Sequence, residues 1–593
     1  MKVQRLGFYG ADCFDLLHGR IRKVALTHFR RVLKYARLEV RMLTHTLHLP
    51  PGLSEIYDDP QPEWLRDILE LLPGLQALLV SKLPFFDYSA MIALSSEGIT
   101  AHRSYDNIHV LIARSEPNAT PRGITEILFH FPELIYLDLS YTTAARDRNV
   151  LSVLSRLQYL QVLKLQGLRL KDDEIGILAK SIGITVRFLD LRNNHLTDRS
   201  IQTLLQDSFS PVEISPTDCE VTMREQLRRP DLDELLLNTL TRPLTSRDWI
   251  SKLPRMGITH LYVADNLITI EGVTNLLTLG KLRALDVGTY KDINPASYSG
   301  ADSSDPFGME ILIPLLVSAY AVDRLSYLRI NHAGVTEDVY VPEVRYLRPR
   351  REDDLSGPAD SFHNPGIQEL IAKRPHLKEY PSQNNSLYLH PSDIPHVETL
   401  VLTDIPAQVP KNSHILSTLV RFITACSDEA LLATLQAKSD YSLPPGQARS
   451  RAEKIRSKEL FSLRHLILEI VPPSKKKIKE SVHETGQDVE VFRSAAMNDF
   501  SFFGDRASSS SSSPSSHSQE EQSQSQTQIP EIDLVAELAA FRCMKKAQYE
   551  DLVRREYINA IANANTDTNM TPENRMPYTE GYWEGKVSIV RML

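Results

Sequence analysis

Charged and aromatic side chains recur in this 593-residue chain at an interval of 26 residues. Asp138, Lys164 and Asp190 stand 26 apart, and in the same phase the row continues through Leu236, Tyr262, Asp286 and Arg329. A second row, two residues on, runs Ser140, Gln166, Arg192, Asn238, Ala264, Gly288 and Asn331, and Tyr136 and Phe188 stand two residues before the first. Exposed aromatic rings flanked by charges are the groups that dominate protein–protein recognition. The chemistry on offer is therefore non-covalent binding of another protein. No GxxxxGK[ST] phosphate loop, HExxH zinc pair or GxSxG nucleophile elbow occurs, so these residues predict no catalysis, no cofactor and no resident metal. The competing role for Asp138, Lys164 and Asp190 is to neutralise one another across strands, worth about 0.2–1 kcal/mol per pair.

Rows of that kind require elements that hold them in register. In VRFLDLRNNHLTD, beginning at Val186, the apolar residues and an Asn fall at positions one, four, six, nine and eleven, a pattern that neither a single helix nor a single strand demands. It recurs in LQVLKLQGLRL from Leu160, in LIYLDLSYTTA from Leu134 and in ITHLYVADNLI from Ile258. LDELLLNTLTR from Leu232 also lies 26 residues before Ile258 and reads as a fifth copy. Each leucine dyad predicts a short strand with alternate side chains turned inward, which sends the residues between them to the opposite, exposed face. The segments DDEIGILAKSIG from Asp172, DRSIQTLLQD from Asp198 and TIEGVTNLLTLG from Thr269 carry apolar residues at helical spacing and predict amphipathic return helices. Asp172 and Asp198 fall at helix starts, and Asn194 and Asn266 where an amide can satisfy turn backbone. Thr142, Leu168 and Leu240 replace that Asn elsewhere, so no continuous asparagine ladder is expected.

These segments resemble leucine-rich repeats, whose LxxLxLxxNxL motif is most complete at Val186–Leu196 and Ile258–Ile268. Fainter copies begin at Leu75, Leu282, Leu325, Val397 and Leu463, and YDNIHVLIARS from Tyr105 fills the gap before Leu134. The period is similar to that of the ribonuclease-inhibitor-like and F-box-associated subclasses, and the inserts and tail to leucine-rich-repeat proteins of filamentous fungi. The resemblance implies an α/β solenoid, a curved horseshoe with parallel strands on the concave face and helices outside. It also implies a non-enzymatic interaction scaffold that binds through Tyr136, Asp138, Lys164, Phe188, Asp190, Arg192, Tyr262, Asp286 and Arg329. Two further roles follow from the same likeness. One is an F-box-like ubiquitin-ligase adaptor, with LHLPPGLSEIYDDPQPEWLRDILELLPGL as its F-box candidate; the other is a small-GTPase regulator like the Ran activators.

The remainder of the chain sets the domain plan. Residues 1–70 are assigned to an N-terminal cap and 71–472 to the solenoid, with loop insertions before Leu232, after Leu282, after Leu325 and from Gln436. Residues 473–530 are Ser/Gln-rich and too polar to bury a core. Residues 531–593 predict a long helix and a structured tail, a candidate cap for the open end of the array. Net charge is −8 and four cysteines lie far apart, so neither nucleic-acid coating nor a disulfide framework is expected. The longest strongly apolar run, ILIPLLVSAYAV, is too short to span a bilayer, and the first residues form no signal peptide. The expectation is a protein of the cytoplasm or nucleus.

Overall fold

The computed structural model describes residues 6–7, 25–49, 62–95, 104–210, 226–241, 255–288, 325–340, 365–374, 386–471, 531–564 and 578–591, with 250, 253 and 316 and without 84, 228, 280, 338 and 412. The chain divides into two compact units, Met1–Leu315 with Arg324–Leu328, and Leu316–Asp323 with Arg329–Leu593.

In the first unit the strands are short and follow chain order: β1 (Leu6–Gly7), β2 (Thr46–Leu49), β3 (Ala77–Ser81), β4 (Val110–Arg114), β5 (Tyr136–Asp138), β6 (Val162–Lys164), β7 (Phe188–Asp190), β8 (His260–Tyr262) and β9 (Ala284–Gly288). Every neighbouring pair is parallel. Parallel pairing requires a crossover between strands. Helices supply it: α1 (Ala25–Tyr35), α2 (Leu38–Met42), α3 (Trp64–Leu71), α4 (Tyr88–Ile92), α5 (Pro121–His130), α6 (Arg148–Val153), α7 (Asp172–Ile182), α8 (Asp198–Asp207), α9 (Leu232–Leu240) and α10 (Ile270–Leu279). Leu137, Leu163, Leu189, Leu261 and Leu285 point from the strands into the layer beneath these helices, α9 excepted, and are completely buried. There they meet the apolar stripes of the return helices, such as Ile175, Leu178 and Ile182 of α7.

The turn after each strand repeats more faithfully than the sequence does. Lys82, Ser115, Tyr141, Gly167, Asn193 and Asp265 hold the same place, and all have φ between 55° and 69°. Their N–H groups carry the ladder one rung further, as in Asn193 to Ala264 O at 2.9 Å. At the next residue a buried side chain serves the backbone of the preceding turn. Asn194 accepts from Leu168 and Leu170 N–H at 3.1 and 3.0 Å and donates to Leu165 and Leu191 O. Asn266 accepts from Leu196 N–H and donates to Leu191 and Val263 O. Thr142 substitutes for the amide, accepting from Glu116 N–H and donating to Ala113 O. Glu116 itself takes the place one turn earlier and accepts from Leu83 N–H at 3.0 Å. A carboxylate can accept there but cannot donate as Asn does. Burial consequently pushes the Glu116 carboxyl up to about 8.

Helix starts are coupled in the same way. Thr197 N–H and hydroxyl donate to Asp172, and Thr269 donates twice to Asp198. A Cβ on Gly272 would lie 2.3 Å from Asp198 Oδ1, so α10 reaches this contact only with glycine there. Both aspartates sit in the first helical turn; the N-cap residues proper are Lys171 and Thr197.

In the second unit β13 (Thr399–Pro406), β15 (His465–Val471) and β17 (Lys586–Arg591) are parallel. Here too lie Arg329–Asn331, the end of β10 (Tyr327–Asn331), followed by α11 (Ala333–Thr336). β11 (Val339–Tyr340) pairs antiparallel with β12 (Ser386–Leu387), and β14 (Gln408–Pro410) with β16 (Glu531–Asp533). The helices are α12 (Pro365–Lys373), α13 (His414–Ser439), α14 (Gln447–Leu460) and the long α15 (Leu534–Ala564).

Repeat-like α/β architecture is therefore present, but not with the expected parts throughout. LDELLLNTL is helix α9 and not a strand: Leu232, Leu236 and Leu240 fall four apart, and Asp233 and Glu234 suit a helix's first turn. β7 pairs directly with β8, although Arg187 and Thr259, which precede them, are 72 residues apart. The segment from Gln436, expected as a loop, is the end of α13 and then α14. The F-box candidate contributes the end of β2, then α3, and leads into β3. Sheet strands also occur before residue 71, and the C-terminal tail adds β17 beside β15. Residues 211–225, 242–249, 289–315, 341–364 and 472–530, which hold most of the expected inserts and the Ser/Gln-rich segment, lie outside the described residues. Among the described residues no helix is long and apolar enough to cross a membrane.

Two outcomes follow for stability. Asn194→Ala strands two buried N–H groups and two carbonyls, and should cost at least about 2 kcal/mol in denaturant unfolding. Glu116 binds its proton more tightly folded than unfolded, so its contribution is full in acid and is lost as pH rises to about 8. Glu116→Gln should match the parent's melting temperature near pH 4 and exceed it above about pH 8.

Candidate functional site

Of the nine residues singled out from the sequence, eight lie in the first unit, on the strand face opposite the return helices. The row two residues ahead of the charges is apolar almost throughout: Ala77, Val110, Tyr136, Val162, Phe188 and Ala284, with His260 the exception. All are buried, and α9 lies against this row. Leu232, Leu236 and Leu240, each at most 1 % exposed, form one cluster with Tyr136, Val162, Phe188, Tyr262 and Ala284, and Leu227 and Ile250 extend it. The expected exposed aromatics are thus a core, closed by a helix that the chain itself supplies. Each of these leucines contributes about 1.5–3 kcal/mol relative to leaving it in water.

Polar contacts fix the register of α9 on the strands. Lys164 pairs with Asp233 of α9 at 2.5 Å and lies over the rings of Phe188 and Tyr136, at 5.3 and 5.6 Å from their centroids. Just before the helix, the Tyr262 hydroxyl donates to Pro230 O at 3.1 Å, and His260 Nε2 lies 2.9 Å from Arg229 O. Burial pushes the His260 pKa down to about 3, so the ring is neutral, with Nε2 donating to that carbonyl. Phe188 stacks on Tyr262 at 4.8 Å and on His260 at 6.0 Å. Burial also pushes the Tyr136 phenol up to about 12 and raises that of Tyr262.

The acids are occupied as well. Asp138 is fully buried and paired with Arg114 of β4, while its Oδ1 accepts from Ser140 N–H. Asp190 receives a bidentate fork from Arg192, at 2.9 and 2.6 Å. The same guanidinium lies 3.9 Å from Asp286 and 5.4 Å from the Tyr262 ring centroid. Arg329 belongs to the second unit, where it forks onto Glu469 at 2.9 and 2.7 Å. Adjacent rows therefore do not simply cancel across strands; Arg114, Asp233 and Glu469, none of them singled out from the sequence, complete the pairs. The apolar row from Ala77 to Ala284 was readable, and it is the signal that this face is covered. Among the described residues no group of His, Cys, Asp and Glu side chains is placed to hold a metal ion.

Removing one leucine should loosen this lid selectively. Leu236→Ala should raise backbone hydrogen exchange across 232–240 by at least about tenfold while exchange in β5–β7 changes less. No family model matches the chain, and no curated protein matches it.

Proposed function

We propose that this protein is a non-enzymatic interaction scaffold of the leucine-rich-repeat type, whose strand face seats an amphipathic helix. One observation carries the reading: the helix seated there, α9, comes from a segment that interrupts the 26-residue spacing. It is held by leucines at 232, 236 and 240 and by Asp233 on Lys164. Helix-in-groove recognition uses the same code of spaced apolar anchors with a flanking charge. In this reading α9 occupies in cis a seat that a partner helix of like pattern takes in trans. Tethering gives α9 an effective concentration on the order of millimolar, so a partner must outcompete it or arrive when it is released. Arg192 and Asp190 then flank the seat as orienting charges.

A synthetic peptide of residues 229–241 tests this. It should bind saturably to a Leu232→Ala, Leu236→Ala double variant, followed by fluorescence anisotropy, and at least about tenfold more weakly to the parent chain, whose own helix competes. Adding Lys164→Glu to the double variant should weaken binding again. Absence of saturable binding to the double variant, or equal binding of a scrambled peptide, would remove the strand face as a helix seat.

A further inference from the structure

On the helix side of the first unit, α5 and α6 leave an open groove of about 810 Å³ between them. It is independent of the strand face. Thr125 and Phe129 of α5 line one wall, Val153 of α6 and Arg156 of the 3-10 turn after it the other, with Tyr88 and Arg122 at one end. Ile124, Ile127 and Leu128 of α5 are buried to about 1 % exposure, whereas Phe129 is 36 % exposed. An aromatic ring of this helix is thus presented to the groove instead of the core.

The electrostatics of the groove are one-sided. The Arg156 guanidinium lies 4.4 Å from the Phe129 ring centroid and that of Arg122 5.8 Å from Tyr88. Neither meets a carboxylate among the described residues. The nearby acids are engaged elsewhere: Asp87 accepts from Ala90 N–H and Asp147 from Asn149 N–H, each at its own helix start. Glu126, one turn from Arg122, is hydrogen-bonded to the Ser95 hydroxyl and lies 3.4 Å from His130 Nε2. Two cations therefore flank an apolar strip with no internal counter-charge, on a chain whose net charge is −8.

We propose that this groove binds an acidic peptide segment of another protein. Two carboxylates of the segment pair with Arg122 and Arg156, and an apolar side chain between them packs on Phe129 and Val153. The apolar strip favours a peptide over nucleic acid, because a polyanion gains nothing from Phe129 and Val153 and needs more cations than two.

The probe is a short fluorescein-labelled peptide of alternating glutamate and leucine, titrated with the full chain. Saturable binding that weakens with salt is expected, with at least about a tenfold loss in Arg122→Glu, Arg156→Glu and in Phe129→Ala. Circular dichroism of the variants should be unchanged, since the three side chains are exposed. A lysine/leucine peptide, lacking the carboxylates, and a glutamate/serine peptide, lacking the apolar anchor, should bind at least about tenfold more weakly. No saturable binding of the acidic peptide, or binding unchanged in both folded variants, would overturn the assignment. So would a single-stranded oligonucleotide that binds more tightly and is lost in the same variants.

Discussion

A strand of three residues ends before its backbone has turned away from its neighbours, and the amides just beyond it are already buried. Satisfying them is the constraint on which the first unit rests. The solution is a left-handed residue, repeated from Lys82 through Asp265, followed at four of the six turns by a buried polar side chain: Glu116, Thr142, Asn194 and Asn266. The left-handed residue keeps its N–H on the neighbouring strand's side, and the following Asn or Thr reaches back to the turn before. Each turn is thereby completed by the next one, so no repeat closes by itself. Gly167 shows how tightly the turns stack, since a Cβ there would lie 2.3 Å from the ring of Tyr141.

The same stacking creates a problem on the strand face. Bringing Tyr136, Val162, Phe188 and Ala284 into one row places a continuous apolar stripe where solvent would otherwise be. Contiguous patches of that kind are rare on soluble surfaces unless something covers them. The chain covers this one by leaving the repeat between β7 and β8, laying α9 across the row and returning in register. Register is kept because Phe188 and His260 pair as though the intervening residues were absent.

What could be read from the sequence follows from how each signal arises. The buried leucines of β5, β6 and β7 repeat at an unvarying interval, and the fainter copies at Leu75, Leu282, Leu325, Val397 and Leu463 likewise mark strands β3, β9, β10, β13 and β15. Leu232–Leu240 was misread because leucines at 232, 235 and 237 satisfy the strand motif while those at 232, 236 and 240 satisfy a helix. A nine-residue apolar run does not distinguish the two by period. The Asn position was legible in Asn194 and Asn266, but Thr142 and Glu116 fill it with different chemistry, which only the hydrogen bonds reveal. Burial of the candidate aromatics depends on a helix distant in sequence; the apolar row from Ala77 to Ala284 signals that something covers the face, but no local pattern around Tyr136 or Phe188 says which segment does.

The fate of the charges separates the two faces of the first unit. Asp138, Asp190 and Asp286 are at most 1 % exposed, and carboxylates so placed persist only when cations and N–H groups compensate the lost water. Arg114, Arg192 and Ser140 N–H supply that compensation, and in doing so they are spent on the fold. Lys164 is spent in the same sense on α9. A charge that already holds a buried counter-charge offers a partner little, because the partner would have to replace a short, desolvated contact with an equivalent one. Arg122 and Arg156 stand in the opposite condition: exposed, resting on aromatic rings, with the acids around them committed to helix starts and to Ser95 and His130. On the proposed readings, electrostatic recognition on this unit falls to its helix side, and the strand face is left to recognise shape and apolar surface, with its ion pairs setting register.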